Sequence, residues 1–277
     1  MAKTGKVNKS EGTPPNVRRK LLFALAVSSI AGHGASKAQD EPKRPDSADF
    51  QAGDFLWPKR PGQWVPYNSG AETERAIDKV RWIQERNSFI ATIRAQPNSS
   101  QQLRQLATDL EGMEYSEFYE LYQGDRAPDV SQPFGGGGGG FYVGHVAIVG
   151  FRDTTPIVIE ALDGKNVVTS SYTDWLASRP GAWVWHGRLS NRSATDRAKI
   201  ALEAEKYIGR KYDFWNLNLS DTSGFYCSKL CWLATMNSLS LAIDDNPEPK
   251  RAFWFSPKQM LKSKRIDKRF NPGNYTF

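Results

Sequence analysis

No run of 18 or more apolar residues occurs in this chain of 277, so no ordinary membrane-spanning helix is expected. Cysteine is scarce: Cys227 and Cys231 are too few for a disulfide-stapled scaffold. Only three histidines occur, His33, His145 and His186. Signatures of several enzyme classes are missing too. The six glycines 135–140 lack a following Lys-Ser or Lys-Thr and open no helix, so they form no phosphate-binding loop. There is no G-x-S-x-G of a serine hydrolase and no H-E-x-x-H of a zinc peptidase. No internal repeat is visible. What is present is apolar mass. The chain is 39% hydrophobic and 12% aromatic, with nine Trp and 14 Phe, enough to bury a core and to exclude wholesale disorder.

The net charge of +7 is a property of one end. Residues 1–38 hold seven basic residues and one acid, leaving +1 over the remaining 239. The same stretch runs basic, then apolar over 21–32, then Ser36-Lys37-Ala38, with small residues where a signal peptidase reads. It is expected to be an export leader, of the general secretory or, through Arg18-Arg19, the twin-arginine kind, with a periplasmic destination. Val17 stands where the twin-arginine pattern prefers Ser or Thr. A buried N-terminal helix is the competing reading. No cysteine follows the cleavage point, so no lipid anchor is expected once the leader is gone. With the basicity in the leader, electrostatics gives no reason to expect a nucleic-acid partner.

Residues 39–48 read as a polar, proline-containing linker, and 49–277 as one domain. Residues 52–57 read as a turn into a short strand stopped by Pro58. Apolar residues recur at helical spacing through 71–96, Ser100 can cap a second helix to about Leu110, and 113–122 reads as a third. With the glycine run, 71–140 is expected to be an insertion that caps a cleft, the glycines serving as hinge. Beyond it the pattern turns to strands: 142–151 and 156–162, joined as a hairpin by 152–155, then 166–170 and 182–189. Helices are expected at 173–177, from Ser193 or Thr195 to Gly209, from Cys227 to about 237, and after Ser256-Pro257. Strands gathered with helices around them give an α+β fold.

Three residues stand out chemically. His145 opens an apolar strand, where a histidine is commonly just a tolerated polar residue. Glu160 lies inside another strand, Val158 to Leu162, and a carboxylate there must be paired, solvated or neutral. If the hairpin turn is centred between Asp153 and Thr154, residue 147 faces 160 and 145 faces 162. Glu160 and His145 are then diagonal neighbours on one face. A slip of one residue separates them. The plain alternative for Glu160 is a salt bridge, for instance to Arg188. Cys227 follows Gly224-Phe-Tyr at the expected start of a helix, where the dipole and unpaired amides favour a thiolate. Cys231, one turn on, reads as core. Two other uses of these cysteines stay open: a Cys227–Cys231 disulfide, and zinc held by both cysteines with His145 and His186. His186, beside Trp183 and Trp185, reads as packing.

Taken in order, Gly53-Asp54, Gly144-His145-Val-Ala-Ile, Val158-Ile-Glu160-Ala, Tyr212-Asp213 and Phe225-Tyr-Cys227-Ser-Lys-Leu resemble the permuted papain-like amidases of the YaeF/YiiX type, relatives of the NlpC-type cell-wall peptidases. The resemblance covers most of 50–240. It implies a papain-like antiparallel sheet packed on helices, with the histidine strand before the cysteine helix. It also implies Cys227 as nucleophile, His145 as base, Glu160 as third member and no cofactor or metal. Tyr212 falls where the family often has a tyrosine near the site, as an oxyanion or substrate contact. Two departures stand out. The interval from Gly53 to His145 is long, and Lys229 replaces a common Glu, a change expected to concern the surface. The activity implied is an exported cysteine amidase or peptidase acting on a peptide or peptidoglycan fragment. An ester or thioester hydrolase or acyltransferase, and a catalytically silent cleft-binding module, are the alternatives.

Overall fold

The computed structural model describes residues 41–61, 72–118, 144–216, 218–243 and 256–275, and it supplies no side-chain description for 72–78 and 102. The chain divides into two units, 1–40 and 41–277, and every described residue belongs to the second. The expected leader and the glycine run lie outside the described residues.

Six antiparallel strands form the central sheet: β1 (Phe55–Lys59), β2 (Ala147–Arg152), β3 (Thr155–Leu162), β4 (Asn166–Ser171), β5 (Trp183–Leu189) and β8 (Ile266–Phe270), in the order β4-β3-β2-β1-β5-β8. Two-residue strands β6 (Lys211–Tyr212) and β7 (Gly224–Phe225) pair in parallel beside it. Among the described residues, helices α1 (Glu72–Ala95), α2 (Gln101–Glu111), α3 (Tyr172–Ala177), α4 (Ala194–Glu205), α5 (Cys227–Leu239) and α6 (Pro257–Lys262) accompany the sheet, and 115–118 are helical as well. This is the α+β arrangement expected.

The β2–β3 hairpin fixes the register on which the site depends. Arg152 pairs with Thr155 across a two-residue turn, and Asp153 takes the left-handed φ of +54° that such turns favour. Ile148 then faces Ile159, which is the pairing the sequence implied. Side-chain alternation splits the apolar residues between two faces. Phe55, Trp57, Ile148, Ile157 and Ile159 join the main core with α4 and α5. Leu56, Ala147, Val149, Val158 and Val184 meet Phe50 and the α3 residues Tyr172 and Trp175 on the other face.

Helix starts follow their caps. Ser100, Ser171, Ser193 and Ser256 each accept a hydrogen bond from an amide in the following first turn, and Ser256 completes a capping box with Gln259. Three expectations change. Strand β1 runs through Pro58 to Lys59 rather than stopping at Pro58. β2 pairs only with Phe55 and Leu56, so β1 is an edge on that side by residue 58, where a missing N–H is tolerated. Part of the expected linker is also attached: the Lys43 carbonyl accepts from the Val184 amide, and the Pro45 carbonyl accepts from the Tyr172 hydroxyl. β8 had no counterpart in the sequence reading, because Ile266-Asp-Lys-Arg-Phe270 is mostly polar for a strand.

Candidate active site

Cys227 is the first residue of α5. The preceding Tyr226 has an extended backbone (φ −110°, ψ 169°) and contributes no side-chain cap. The first-turn amides of a helix have no intrahelical acceptor, so this uncapped end presents donors and the positive pole of the dipole to whatever lies at residue 227. Close packing places it: Phe225, Leu230, Cys231 and Ala234 are fully buried around that end of the helix. Gly224 is required there, because a Cβ would sit 2.6 Å from the Asp213 side chain.

His145 lies two residues before β2, after Gly144, whose φ of +86° bends the incoming chain. Its ring faces both partners. The Nε2 atom is 2.7 Å from Glu160 Oε2, and the ring shares the cleft wall with Cys227. Burial works against a charged imidazole. The hydrogen bonds and negative charges of Cys227 and Glu160 outweigh it and push the His145 pKa up to about 9.

Glu160 stands on the Val158 face of β3, under α3. Its side chain is 3% exposed and well paired. Trp175 Nε1 donates to Oε2 at 2.9 Å, and Arg179 Nη2 donates to Oε1 at 2.9 Å and to Oε2 at 2.7 Å. Arg179 in turn lies over the Trp175 ring at 4.6 Å. Burial raises the carboxyl pKa, but His145, Arg179 and Trp175 together bring it down to about 2. The salt-bridge alternative for Glu160 is therefore realised as well, with Arg179 in place of Arg188.

Cys227, His145 and Arg179 line a cleft of about 400 Å³, with Glu160 bonded to His145 and Arg179 behind that wall. Lys59, Arg60 and Arg179 make part of it basic, Asp163 is acidic, and Tyr212, Phe214 and Tyr226 supply aromatic wall. Tyr212 is half-buried, and burial together with the charges of Cys227, Asp163 and Asp213 holds its phenol protonated well above the ordinary range. Among the described residues, none from α1 or α2 lines this cleft.

The other readings of the cysteines and His186 do not assemble. Both cysteines are free thiols. Cys231 is fully buried, and burial pushes its thiol well up. His186 Nε2 is 2.8 Å from Asp54 Oδ2, and Arg188 grips both oxygens of the same carboxylate at 2.8 Å. His186 is thus a buried polar tie between β1 and β5 and not mere packing. Gly53 makes that tie possible: it has φ +84°, and a Cβ there would lie 2.0 Å from the Arg197 carbonyl oxygen. The zinc set of Cys227, Cys231, His145 and His186 is not brought together, and among the described residues no three His, Cys, Asp or Glu side chains converge as ligands. Lys229, expected at the surface, is fully buried. Sequence reasoning missed Arg179, Trp175 and Lys59. Arg179 sits in a Ser-Arg-Pro-Gly loop without pattern, and only contact across the fold reveals it.

An antiparallel sheet, a helix that opens with cysteine, and, earlier in the chain, a histidine just before β2 paired with a carboxylate on β3 define a papain-like fold in permuted order. The family model of permuted papain-like amidases, YaeF/YiiX type, C92 family, matches residues 139–263, a little under half of the chain. The uncharacterized protein YiiX of Escherichia coli strain K12 is 27% identical over 121 residues, which is 43% of this chain and 58% of that protein. The chain thus spans less than two thirds of that relative's length. The solved structure of YiiX from Escherichia coli O157:H7, described as a metalloprotein, shares 19% identity with a TM-score of 0.37, covering 46% of this chain and 83% of that one.

Proposed function

We propose that the protein is an exported cysteine amidase that cleaves a peptide amide, with peptidoglycan peptides as substrate class. The observation that carries this reading is that His145, 2.7 Å from Glu160, shares the wall of an open cleft with Cys227. The Cys227 sulfur attacks the scissile carbonyl carbon as the anion and forms a tetrahedral adduct. The Cys227 backbone N–H and the Tyr212 hydroxyl stabilise the oxyanion. His145 gives its proton to the leaving amine, and the C–N bond breaks to leave an acyl-enzyme. It then takes a proton from water, whose oxygen attacks the thioester and releases the acid and free Cys227. Glu160 keeps the ring aimed, and Arg179 keeps Glu160 ionised and in place.

The basic wall of Lys59 and Arg60 supports a substrate that carries carboxylates, as peptide stems do. The Lys59 ammonium keeps its charge at neutral pH, although burial lowers its pKa to about 8. Export is inferred from the leader pattern of residues 1–38. The test is to offer the purified protein murein peptides and fatty-acyl esters side by side and to quantify released amine and released acid. New amines from murein peptides, lost in Cys227→Ala, are expected. Release from esters alone would transfer the site to the esterase or acyltransferase reading. No turnover of either, with Cys227 alkylated no faster than an ordinary thiol, would leave a binding module.

A further inference from the structure

His145 has a backbone problem that its side-chain partners do not solve. β2 begins at Ala147, and pairing with β1 begins at Leu56 opposite Ala147. The His145 N–H and C=O therefore belong to no ladder, while the chain enters from Gly144 in a left-handed conformation. A half-buried backbone needs partners for both groups. One hydroxyl supplies them. The Tyr275 phenol accepts from the His145 amide at 3.2 Å and donates to the His145 carbonyl at 3.2 Å.

Tyr275 is itself fixed. It is 5% exposed, and its ring meets Trp185 edge-on at 5.0 Å. Trp185 Nε1 donates to the Gly273 carbonyl at 2.9 Å, and Lys59 Nζ donates to the Asn274 carbonyl at 3.4 Å. The C-terminal segment after β8 is thus strapped to β5 and β1, and its last described residue closes on His145. Tyr275 lies 12 residues beyond the end of the family match at residue 263.

We propose that Tyr275 is a positioning residue for His145, setting the backbone frame from which the imidazole is aimed at Cys227 and Glu160. The proposal rests on the functional reading of His145 given above. With both backbone bonds in place, the Cα–Cβ vector of His145 is fixed without help from the sheet. Without them the frame can rotate, and the ring, at the end of that lever, leaves its two partners.

The test needs no substrate. Histidine-labelled protein carries three imidazoles, so His145 can be followed by NMR during a pH titration, and Cys227 can be timed against iodoacetamide. The native protein is expected to titrate His145 near 9. Tyr275→Phe should bring it at least one pH unit toward 6.5 and slow alkylation at pH 6 by roughly tenfold or more, because small misplacements of reacting groups cost that much. A lower melting temperature with an unchanged titration and rate would show a structural role only and overturn the proposal. A native His145 titrating near 6.5 would instead remove the functional reading itself.

If the phenylalanine variant does not fold, a ring-fluorinated tyrosine at 275 keeps the shape and hydroxyl but ionises at lower pH. Its phenolate can still accept from the His145 amide, but it has no proton for the carbonyl. The alkylation rate should then step down as the phenol ionises, tracked by its absorbance. A rate profile that overlays the native one overturns the proposal.

Discussion

Glu160 Oε2 takes three donors at once: it lies 2.7 Å from His145 Nε2, 2.7 Å from Arg179 Nη2 and 2.9 Å from Trp175 Nε1. One carboxylate oxygen thereby joins the imidazole to a cation that lies outside any regular element. Glu160→Gln should weaken catalysis less than His145→Ala, because an amide can still orient the ring. It should nevertheless cost about 3 kcal/mol of stability, since Arg179 loses its charge partner in a site where it is 18% exposed. Thermal unfolding of the two variants checks the second half, and amine release checks the first. Equal activity losses would mean that the charge of Glu160, and not its hydrogen bond, is what the site uses.

The same pair sets a pH window. The His145 pKa is raised from 6.5 to about 9, so its contribution to stability is complete below about 6.5 and is lost as pH rises through 9. The Glu160 pKa is lowered from 4.5 to about 2, so its contribution is complete above about 4.5 and is lost as pH falls through 2. Between these limits the pair contributes fully. Urea unfolding of native protein minus that of His145→Ala, measured across pH, should plateau between about 4.5 and 6.5 and fall on both sides. A difference that stays flat to pH 10 would show that His145 carries no proton held by its neighbours.

Much of this arrangement was legible because it depends on short-range signals. A two-residue turn and strand alternation place His145 and Glu160, and the glycine and polar loop before residue 227 mark the helix start that places Cys227, without knowledge of the tertiary fold. The hairpin register alone put residues 147 and 160 opposite each other. What escaped depends on contacts between distant segments. Arg179 and Lys59 have ordinary sequence surroundings and gain meaning only where loops meet the cleft. His186 looked like packing because Asp54, its partner, is 132 positions away. Lys229, expected at the surface as a replacement for a common Glu, is buried because α5 is enclosed on nearly every side through Thr235.

That burial makes Lys229 a sensitive position. Its Nζ has the Asn216 carbonyl at 3.3 Å and the Phe225 ring at 5.6 Å, and burial lowers its pKa from 10.5 to about 7 despite the nearby charges of Asp213 and Asp221. A desolvated lysine costs stability where the unfolded chain would be protonated, so the cost is full below pH 7 and fades as pH rises toward 10.5. Lys229→Met keeps the volume and removes the charge. It should be neutral or stabilising by about 1 kcal/mol at pH 6, with the gain vanishing near pH 10, as seen in melting temperatures at the two pH values. A clear loss at pH 6 would mean that the ammonium holds the 213–221 loop in place.

The two cysteines should separate cleanly. Cys227 faces His145 at the cleft, whereas Cys231 lies one turn deeper, fully buried, with its thiol pushed well up by burial and by the neighbouring Cys227 charge. Iodoacetamide at neutral pH should modify one thiol quickly, and mass spectrometry should place it at Cys227. Cys227→Ala should abolish turnover. Cys231→Ala should retain it within a few fold while lowering stability by about 1 kcal/mol, the effect of deleting one small buried group. Equal losses of turnover from both substitutions would falsify the assignment of the nucleophile and point to a structural pair. In that case the sulfur nearest the imidazole would be a packing group, and the cleft would need another source of chemistry.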